Sequence, residues 1–343
     1  MRHGETIVKP LAVLLFFFLP ALQACSKAPQ KPLPSPLVYS RDYSISLLGL
    51  ERLHPFDSHK HRKIFSAIKH DYDVSAGGLH QPIELQQADY RLVHTQAALD
   101  SWTEPEAVSK ALEMPILATL PRGLIAKSIV RPFQLAAGGT VKAGELAVTH
   151  GCAINLGGGF HHASPSRGEG FCLIADVAIS IRKLQRSGKI KTALVIDTDA
   201  HQGNGTILCF AGDSAIHTYS IHQEGIYPEP KEKGTLDRAL PAGTLDASYL
   251  KVLKSDLERI FESFQPDIVY HVAGADVLDG DPLAGLALSV EGLVARDLLV
   301  FREVRKRGIP YVHTLAGGYG PVSWKAQARS ILAILNEQDS REP

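Results

Sequence analysis

The chain of 343 residues has few of the features that mark several common protein classes. It contains only 4 cysteines, which are too few for the disulfide framework of a small secreted domain. Lys plus Arg and Asp plus Glu are equal at 36 each, so the sequence predicts no basic face and no nucleic-acid partner. Internal repeats and long low-complexity tracts are also missing. The apolar content of 45% and the charged content of 21% are those of an ordinary folded protein and exclude a disordered chain.

The N-terminus differs in kind from the rest of the chain. Its apolar stretch from Leu11 to Leu19 follows the basic residues Arg2 and Lys9 and is shorter than the roughly 20 residues of a membrane span. This arrangement predicts a signal peptide over residues 1–24. The ending Leu22-Gln23-Ala24-Cys25 resembles the lipobox of bacterial lipoproteins. It implies lipidation at Cys25 and a membrane-anchored protein of the bacterial cell envelope that faces the periplasm. A soluble secreted or periplasmic protein, or an uncleaved anchor, is the alternative.

After this segment the chain changes from a tether to a folded pattern. Residues 25–36 are rich in Pro and Lys and predict a semi-extended tether. From Leu37 onward, short β-branched runs alternate with stretches of helical spacing, among them residues 83–99. A further helix is predicted to open at Gly138-Gly139-Thr140, with Thr140 as its cap. The alternation predicts an α/β fold with a central, mostly parallel sheet and helices on both faces. No linker interrupts it, so residues 37–343 are predicted to form a single domain.

Four polar clusters each come directly after an apolar, β-branched run. In an open α/β sheet, ligands and chemistry gather at the carboxyl ends of the strands, so we expect these clusters to meet in one crevice. The clusters are Gly159-Phe160-His161-His162, Asp197-Thr198-Asp199-Ala200-His201, Gly274-Ala275-Asp276 and Gly317-Gly318-Tyr319.

Together the clusters contain the parts of a one-metal hydrolase. Two carboxylates and one imidazole, from Asp199, Asp276 and His201, can bind a divalent ion and leave a position open, as catalytic zinc requires. The adjacent His161 and His162 offer a base for water held there, and the phenol of Tyr319 can donate to a developing oxyanion. Each cluster alone has a plainer interpretation: a surface His pair, a calcium-type acidic loop, or a turn. Their order after four strands favours the hydrolase.

At these residues the chain resembles the histone deacetylase family, and class IV in particular. The resemblance runs over nearly the whole chain after the tether and includes Leu53-His54-Pro55-Phe56-Asp57, Gly138-Gly139-Thr140, Arg167-Gly168-x-Gly170-Phe171-Cys172, Asp199-Ala200-His201-Gln202-Gly203-Asn204-Gly205 and Ile226-Tyr227-Pro228. It implies a three-layer arginase/deacetylase-like fold and zinc-dependent removal of acyl groups from lysine.

The resemblance also assigns roles to single residues. It implies zinc ligands at Asp199, His201 and Asp276, although iron(II) or cobalt(II) would also suit this set. The catalytic residues implied are His161, His162, Tyr319, Asp197 behind His161, and Asn204 behind His162. Because a neutral amide stabilises imidazolium less than a carboxylate does, we expect His162 to be the weaker base. The implied lining of the substrate tunnel is Gly159, Phe171, Tyr227 and Leu283. A potassium ion is implied at Asp197, Asp199, His201, Ser220 and Ile221.

The substrate is predicted to be an acylated lysine in a peptide or protein. Class IV members favour long fatty acyl groups, so we expect defatty-acylation, with acetyl as the alternative group. A second enzyme class is an acylpolyamine or small-amide amidohydrolase, whose partner would be a small acylated amine. A third interpretation is a catalytically silent, acyl-lysine-binding lipoprotein.

Overall fold

The strands of the computed structural model form where the sequence has its short β-branched runs. The structure describes residues 30–47 and 49–340, together with residues 1 and 4. Within them the strands are β1 Lys31–Pro32, β2 Leu37–Val38, β3 Tyr72–Asp73, β4 Leu79–His80, β5 Cys152–Asn155, β6 Ala193–Asp197, β7 Ile216–Gln223, β8 Leu236–Leu240, β9 Val269–Val272 and β10 Tyr311–Thr314.

The helices lie between and after the strands along the chain. They are α1 Lys60–Asp71, α2 Gln87–Tyr90, α3 Gln96–Ser101, α4 Pro105–Ala111, α5 Arg122–Ile125, α6 Arg131–His150, α7 Asp176–Arg186, α8 Asn204–Cys209, α9 Asp246–Ser263, α10 Val290–Arg305 and α11 Ser323–Asp339. A π-helical turn, Ala126–Val130, joins α5 to α6. Within the residues described, every helix is too short or too polar to cross a bilayer.

One eight-stranded sheet organises the molecule, in the order β4-β2-β5-β10-β9-β6-β7-β8. All its strand pairs are parallel, as the alternation of strands and helices predicted. Successive residues of a strand face opposite sides. Thus Leu194 and Ile196 of β6 pack in one core with residues of α9, α10 and α11, whereas Val195 packs in a second core with residues of α6 and α7. Helices therefore cover both faces, and the predicted three-layer α/β class is confirmed.

Two predicted helices were wrong in their extent. The stretch 83–99 is not one helix, because Thr95 accepts a hydrogen bond from the Ala98 amide and starts α3 separately from α2. The triplet Gly138-Gly139-Thr140 lies inside α6 instead of opening a helix. Its glycines are needed for close packing, since a Cβ on Gly139 would lie 2.1 Å from the Tyr43 hydroxyl. Thr140 donates to the Asp176 carboxylate and caps nothing.

The folded unit begins earlier than the sequence predicts. By its internal contacts the chain divides into Met1–Gln30 and Lys31–Pro343. Lys31 and Pro32 pair in parallel with Tyr72 and Asp73, and Ser35 is buried, so the unit starts before the predicted boundary at Leu37. The predicted signal peptide over residues 1–24 lies outside the described residues except for residues 1 and 4, and Cys25 lies outside them altogether.

The four polar clusters follow four adjacent strands. In the sheet these strands are neighbours in the order β5-β10-β9-β6. Because the strands are parallel, their carboxyl ends lie along one edge, and the sheet places all four clusters there. The single crevice expected from the sequence is thus present in the fold.

Candidate metal centre

Asp199, His201 and Asp276 meet at the ends of β6 and β9. Nδ1 of His201 lies 2.9 Å from Oδ2 of Asp276 and 3.3 Å from Oδ1 of Asp199. One ligand atom from each residue lies within 4.8 Å of the other two, and all three side chains are buried. Two carboxylate oxygens and one imidazole nitrogen form a donor set that suits a divalent ion. The three predicted ligands therefore form a possible metal site.

The backbone around the ligands fixes their carboxylates. Gly317 donates its N–H to Oδ2 of Asp199 at 2.8 Å, and Ala200 donates to Oδ1 of Asp276 at 2.9 Å. A Cβ on Gly317 would lie 2.6 Å from the Asp199 oxygen, so only glycine permits this approach. Backbone amides thus hold each carboxylate while it faces the other ligands.

The ligands perturb each other's protonation. Burial and the Asp199 carboxylate raise the pKa of Asp276 to about 7. Burial also opposes ionisation of Asp199, but the imidazoles of His161 and His201 outweigh it and hold its pKa well below the usual range. Two carboxylates this close repel each other unless a positive charge lies between them. A divalent cation supplies that charge, and the donor set fits it on this ground as well.

His161 and His162 lie side by side with their ring centroids 4.0 Å apart. Nδ1 of His161 lies 2.7 Å from the Asp197 carboxylate, and its Nε2 lies 3.8 Å from Oδ1 of Asp199. Nδ1 of His162 lies 2.7 Å from the side-chain oxygen of Asn204. The structure thus brings both histidines and both of their predicted partners to the metal site.

The two imidazoles differ in charge. Burial lowers the pKa of His161, but Asp197 and Asp199 outweigh it and raise this pKa to about 9. For His162, burial and the neighbouring His161 lower the pKa well below its ordinary value, and Asn204 opposes this only in part. His162 is therefore the weaker base, in the direction expected from an amide partner.

Close approach between two segments explains the glycines of the Asp199–Gly205 motif. A Cβ on Gly205 would lie 2.3 Å from the carbonyl carbon of His162. Next to it, Thr206 donates its N–H to the carbonyl of His161 at 2.9 Å. Helix α8 thus begins directly against the backbone of the histidine pair and fixes its position.

Tyr319 completes the group from the fourth strand end. Its ring centroid lies 6.5 Å from that of His201 and 5.8 Å from that of Phe171. The Tyr319 N–H donates to Oδ2 of Asp281 at 2.8 Å, and Gly320 donates to the same oxygen at 3.1 Å. Asp281 therefore holds the loop that presents the phenol to the site.

The order of these residues along the chain and their geometry are those of one enzyme family. The family model described as histone deacetylase domain matches residues 54–335. The chain belongs to the histone deacetylase family. This membership confirms the predicted family, and with it a hydrolase that acts on acyl-lysine amides.

Individual relatives agree with this membership. Histone deacetylase 2 from Arabidopsis thaliana is 36% identical over 298 residues, which cover 86% of this chain and 77% of the relative. An uncharacterised protein from Picosynechococcus is 33% identical over 284 residues, which cover 83% of this chain and 92% of the relative. The crystal structure of an HDAC homologue from Aquifex aeolicus has a TM-score of 0.70 and 25% identity, and covers 90% of this chain and 84% of that one.

A mostly apolar chamber opens beside the deacetylase site. Gly159, His161 and Tyr319 form its wall next to the metal ligands. The rest of the wall is mostly aliphatic and aromatic and includes Ile45, Leu47, Phe56, Leu112, Met114, Leu117, Ile129, Phe133 and Phe160. Its polar members are Glu51, His54, Ser58 and His61. Phe171 also lines the chamber, in the left-handed region at a φ of 65° and with its N–H donated to Ala111 at 2.9 Å. This strained backbone turns the Phe171 ring towards Tyr319.

Two of the four predicted tunnel residues do not line this chamber. Tyr227 packs edge-on against the His162 ring, with centroids 4.9 Å apart, and is 38% exposed. Leu283 is 36% exposed, on the loop of Asp281. Both side chains are partly exposed to solvent and lie outside the chamber. Of the predicted potassium ligands, Asp197 and Ser220 are paired across β6 and β7, and the potassium site stays a prediction.

Several residues that support the site were missed in the sequence. Nη1 of Arg296, which is fully buried, donates to the carbonyls of Thr198 and Gly274 at 2.9 and 2.7 Å and ties together the two ligand loops. Asp176 accepts from the amides of Gly159 and Phe160 at 2.8 Å each and holds the loop before the histidines. Arg296 carried a signal, since it lies in register with Leu293 and Val300 on the buried face of α10. Asp176 carried none, because an acidic residue is ordinary in the first turn of a helix.

Proposed function

We propose that the protein is a zinc-dependent lysine deacylase that prefers long-chain fatty acyl groups. The observation that carries the proposal is the apolar chamber, which begins at His161 and Tyr319 and continues between aliphatic side chains. An acyl chain gains about 0.8 kcal/mol for each buried methylene, so a wall of this composition favours a longer chain over acetyl. Zinc is proposed because two carboxylates and one imidazole leave a coordination position open.

The residues of the site suit amide hydrolysis. An ion held by Asp199, His201 and Asp276 would polarise the acyl carbonyl and acidify a bound water. His162, which is neutral, accepts a proton of the attacking water and returns it to the amine as the C–N bond breaks. His161 stays protonated beside Asp197, and its charge stabilises the developing oxyanion. The Tyr319 hydroxyl donates to the same oxygen.

The variant Tyr319→Phe tests whether the protein is an enzyme or only binds acyl-lysine. The substitution removes one hydroxyl and leaves the metal ligands untouched. We expect turnover of an acyl-lysine peptide to fall at least 100-fold, with the zinc content by elemental analysis unchanged. A wild-type protein that binds the peptide without hydrolysing it would instead support the silent-binding alternative.

A series of lysine peptides with acetyl, octanoyl and myristoyl groups tests the acyl preference. We expect kcat/KM to rise with chain length. Ile45 is half-buried in the wall of the chamber, so Ile45→Trp should narrow the chamber and make kcat/KM fall with acyl-chain length. Ile116→Trp, at an exposed position outside the chamber, should leave the preference for long chains unchanged. Faster turnover of acetyl-lysine by the wild type would overturn the long-chain preference and leave the deacylase assignment intact. Acylated polyamines in the same assay test the small-amide alternative.

We further propose that the mature protein is anchored by a lipid on Cys25 in the bacterial cell envelope. The proposal is supported by the basic start, the short apolar stretch and the sequence Leu22-Gln23-Ala24-Cys25. Metabolic labelling with a fatty acid should mark the wild type in the membrane fraction and not Cys25→Ser. An unlabelled protein in the soluble cytoplasmic fraction would contradict the anchor.

A further inference from the structure

The side-chain amide of Asn204 lies between His162, which contacts its oxygen, and Glu169, which accepts a hydrogen bond from its NH₂ group. Its Oδ1 is 2.7 Å from Nδ1 of His162, and its Nδ2 donates to Oε1 of Glu169 at 2.6 Å. The other carboxylate oxygen of Glu169 accepts from Nε of Arg167 at 2.7 Å. These bonds connect a solvent-exposed guanidinium to a buried imidazole through one carboxylate and one amide.

The loop that carries Glu169 is itself fixed against His162. Glu169 and Cys172 exchange backbone hydrogen bonds of 3.0 and 2.9 Å. Between them, a Cβ on Gly170 would lie 2.5 Å from Cδ2 of His162, so the loop packs directly on the imidazole ring. The loop therefore holds the Glu169 carboxylate in a fixed position beside Asn204.

An amide differs from a carboxylate because it has one hydrogen-bond acceptor, the oxygen, and one donor group, the NH₂. Asp197, behind His161, only accepts hydrogen bonds when ionised, and it holds the Nδ1 proton of His161 in either orientation. Asn204 can present either its oxygen or its NH₂ group to His162, and the two choices place the imidazole proton on different nitrogens. An ionised Glu169 accepts only, so it binds the NH₂ group and turns the oxygen towards His162.

We propose that Glu169 is a positioning residue for the deacylation reaction, because it orients the Asn204 amide and so keeps the proton of neutral His162 on Nδ1. Nε2, which bonds to no residue that the structure describes, then keeps the lone pair that accepts a proton from water. The inference rests on the proposed function for its catalytic consequence. Its structural part, the His162 tautomer, does not depend on the substrate.

Two substitutions of nearly equal size test the orientation. In Glu169→Gln, the new oxygen stays on Arg167 and the new NH₂ group faces Asn204, which turns the amide and places NH₂ against His162. In Asn204→Asp, two carboxylates face each other where the structure has a hydrogen bond of 2.6 Å. We expect each variant to lower kcat at least tenfold on an acyl-lysine peptide, with a smaller change in KM.

The double variant Glu169→Gln/Asn204→Asp distinguishes an orienting role of Glu169 from a purely structural one. Here the Gln NH₂ donates to the new Asp, which accepts from His162 as Asn204 did, so we expect kcat to recover above that of either single variant. It should stay below the wild type, because a carboxylate stabilises the His162 imidazolium more than the amide does. A structural role alone predicts that the two losses multiply, and such a result would overturn the proposal. Glu258→Gln on the exposed face of α9 serves as the matched control, and urea unfolding verifies that each variant folds.

A second measurement separates this inference from the assignment of function. In zinc-loaded protein labelled with ¹⁵N-histidine, His162 should show the Nδ1–H tautomer in the wild type and the Nε2–H tautomer in Glu169→Gln. The resonance is assigned with His162→Gln. An unchanged tautomer in Glu169→Gln rejects the proposal even in an active enzyme. The expected tautomers without any acyl-lysine hydrolysis would reject only the proposed function.

Discussion

Nζ of Lys60 lies 2.5 Å from the carbonyl oxygen of Ala316 and 3.1 Å from that of Gly317, directly behind the loop of Tyr319. The side chain is 1% exposed, and Nζ also lies 4.7 Å from the centre of the Phe56 ring. Burial lowers the pKa of Lys60 to about 8, although nearby Asp199 and Asp276 favour the charged form. The ammonium polarises the same peptide segment whose Gly317 N–H binds Asp199. Lys60 thus connects helix α1 to a metal ligand through a single loop.

Lys60→Met is expected to lower both stability and activity. Methionine fills the same space but leaves two buried carbonyls without their donor, so the free energy of unfolding in urea should fall by about 1–3 kcal/mol. Because the Tyr319 loop loses its support, kcat/KM should fall at least tenfold. Lys63→Met, on an exposed turn of the same helix, is the control. Wild-type values for both quantities in Lys60→Met would contradict this role.

The sequence predicts which residues converge at the strand ends, but not all of the residues that hold them in place. The ligands and histidines follow strands, and strand ends of a parallel sheet converge, so the sequence alone predicts that Asp199, His201 and Asp276 meet. Lys60 carried a signal that was overlooked. It stands in register with Ile64 and Ile68 at i, i+4 and i+8, and therefore on the buried stripe of α1.

Other features had no local signal. Glu169 bonds to Asn204 across a separation of 35 residues, and neither residue type in isolation demands the other. Much of the apolar wall of the chamber comes from residues before β5, including Ile129 of the π-helical turn Ala126–Val130, and such irregular backbone has no sequence period. The extent of α6 also depends on tertiary contacts. The sequence predicts a helix start at Gly138-Gly139, but these residues lie in the middle of α6.

Gly205→Ala is expected to disturb the histidine pair. The new Cβ would meet the backbone of His162 at 2.3 Å, and neither backbone segment can yield as a flexible side chain would. The unfolding free energy should fall by about 2 kcal/mol, and activity should be lost while the ligand residues stay intact. Gly123→Ala meets nothing within 4 Å and should be neutral or slightly stabilising. Equal urea midpoints for both variants would show that α8 does not press on the histidine loop.

Metal removal should lower stability as well as activity. A ligand that binds only the native state stabilises it by RT ln(1 + [L]/Kd), which is about 2.7 kcal/mol at 100 Kd. We expect dialysis against a chelator to lower Tm and added zinc to restore it, because three ligands lie within 4.8 Å of one another. In Asp276→Asn the zinc-dependent rise in Tm should disappear. A rise of equal size in that variant would place the bound zinc elsewhere.

His94 is expected to make the protein sensitive to mild acid. Its Nε2 accepts the N–H of Ala175 at 3.0 Å at the start of α7, and its side chain is buried against Trp102. Burial lowers the pKa of His94 to about 4. The unfolded chain, with a His pKa near 6.5, therefore takes up the proton first as the pH falls. The stabilisation is complete above about pH 6.5 and is lost towards pH 4, by roughly 3 kcal/mol in total.

Urea unfolding between pH 7.5 and 4.5 measures this contribution. In His94→Gln the side-chain oxygen can still accept from Ala175, so the fold is kept, but no proton is taken up. The variant should be less stable than the wild type near pH 7.5 and should lose less stability on acidification. Other buried groups contribute to the dependence that remains, among them His222 and His313, whose pKa values burial also lowers to about 4. His150→Gln, at the exposed end of α6, should follow the wild type. If His94→Gln has the same pH dependence as the wild type, His94 is protonated in the native state and its bond to Ala175 is not the one described.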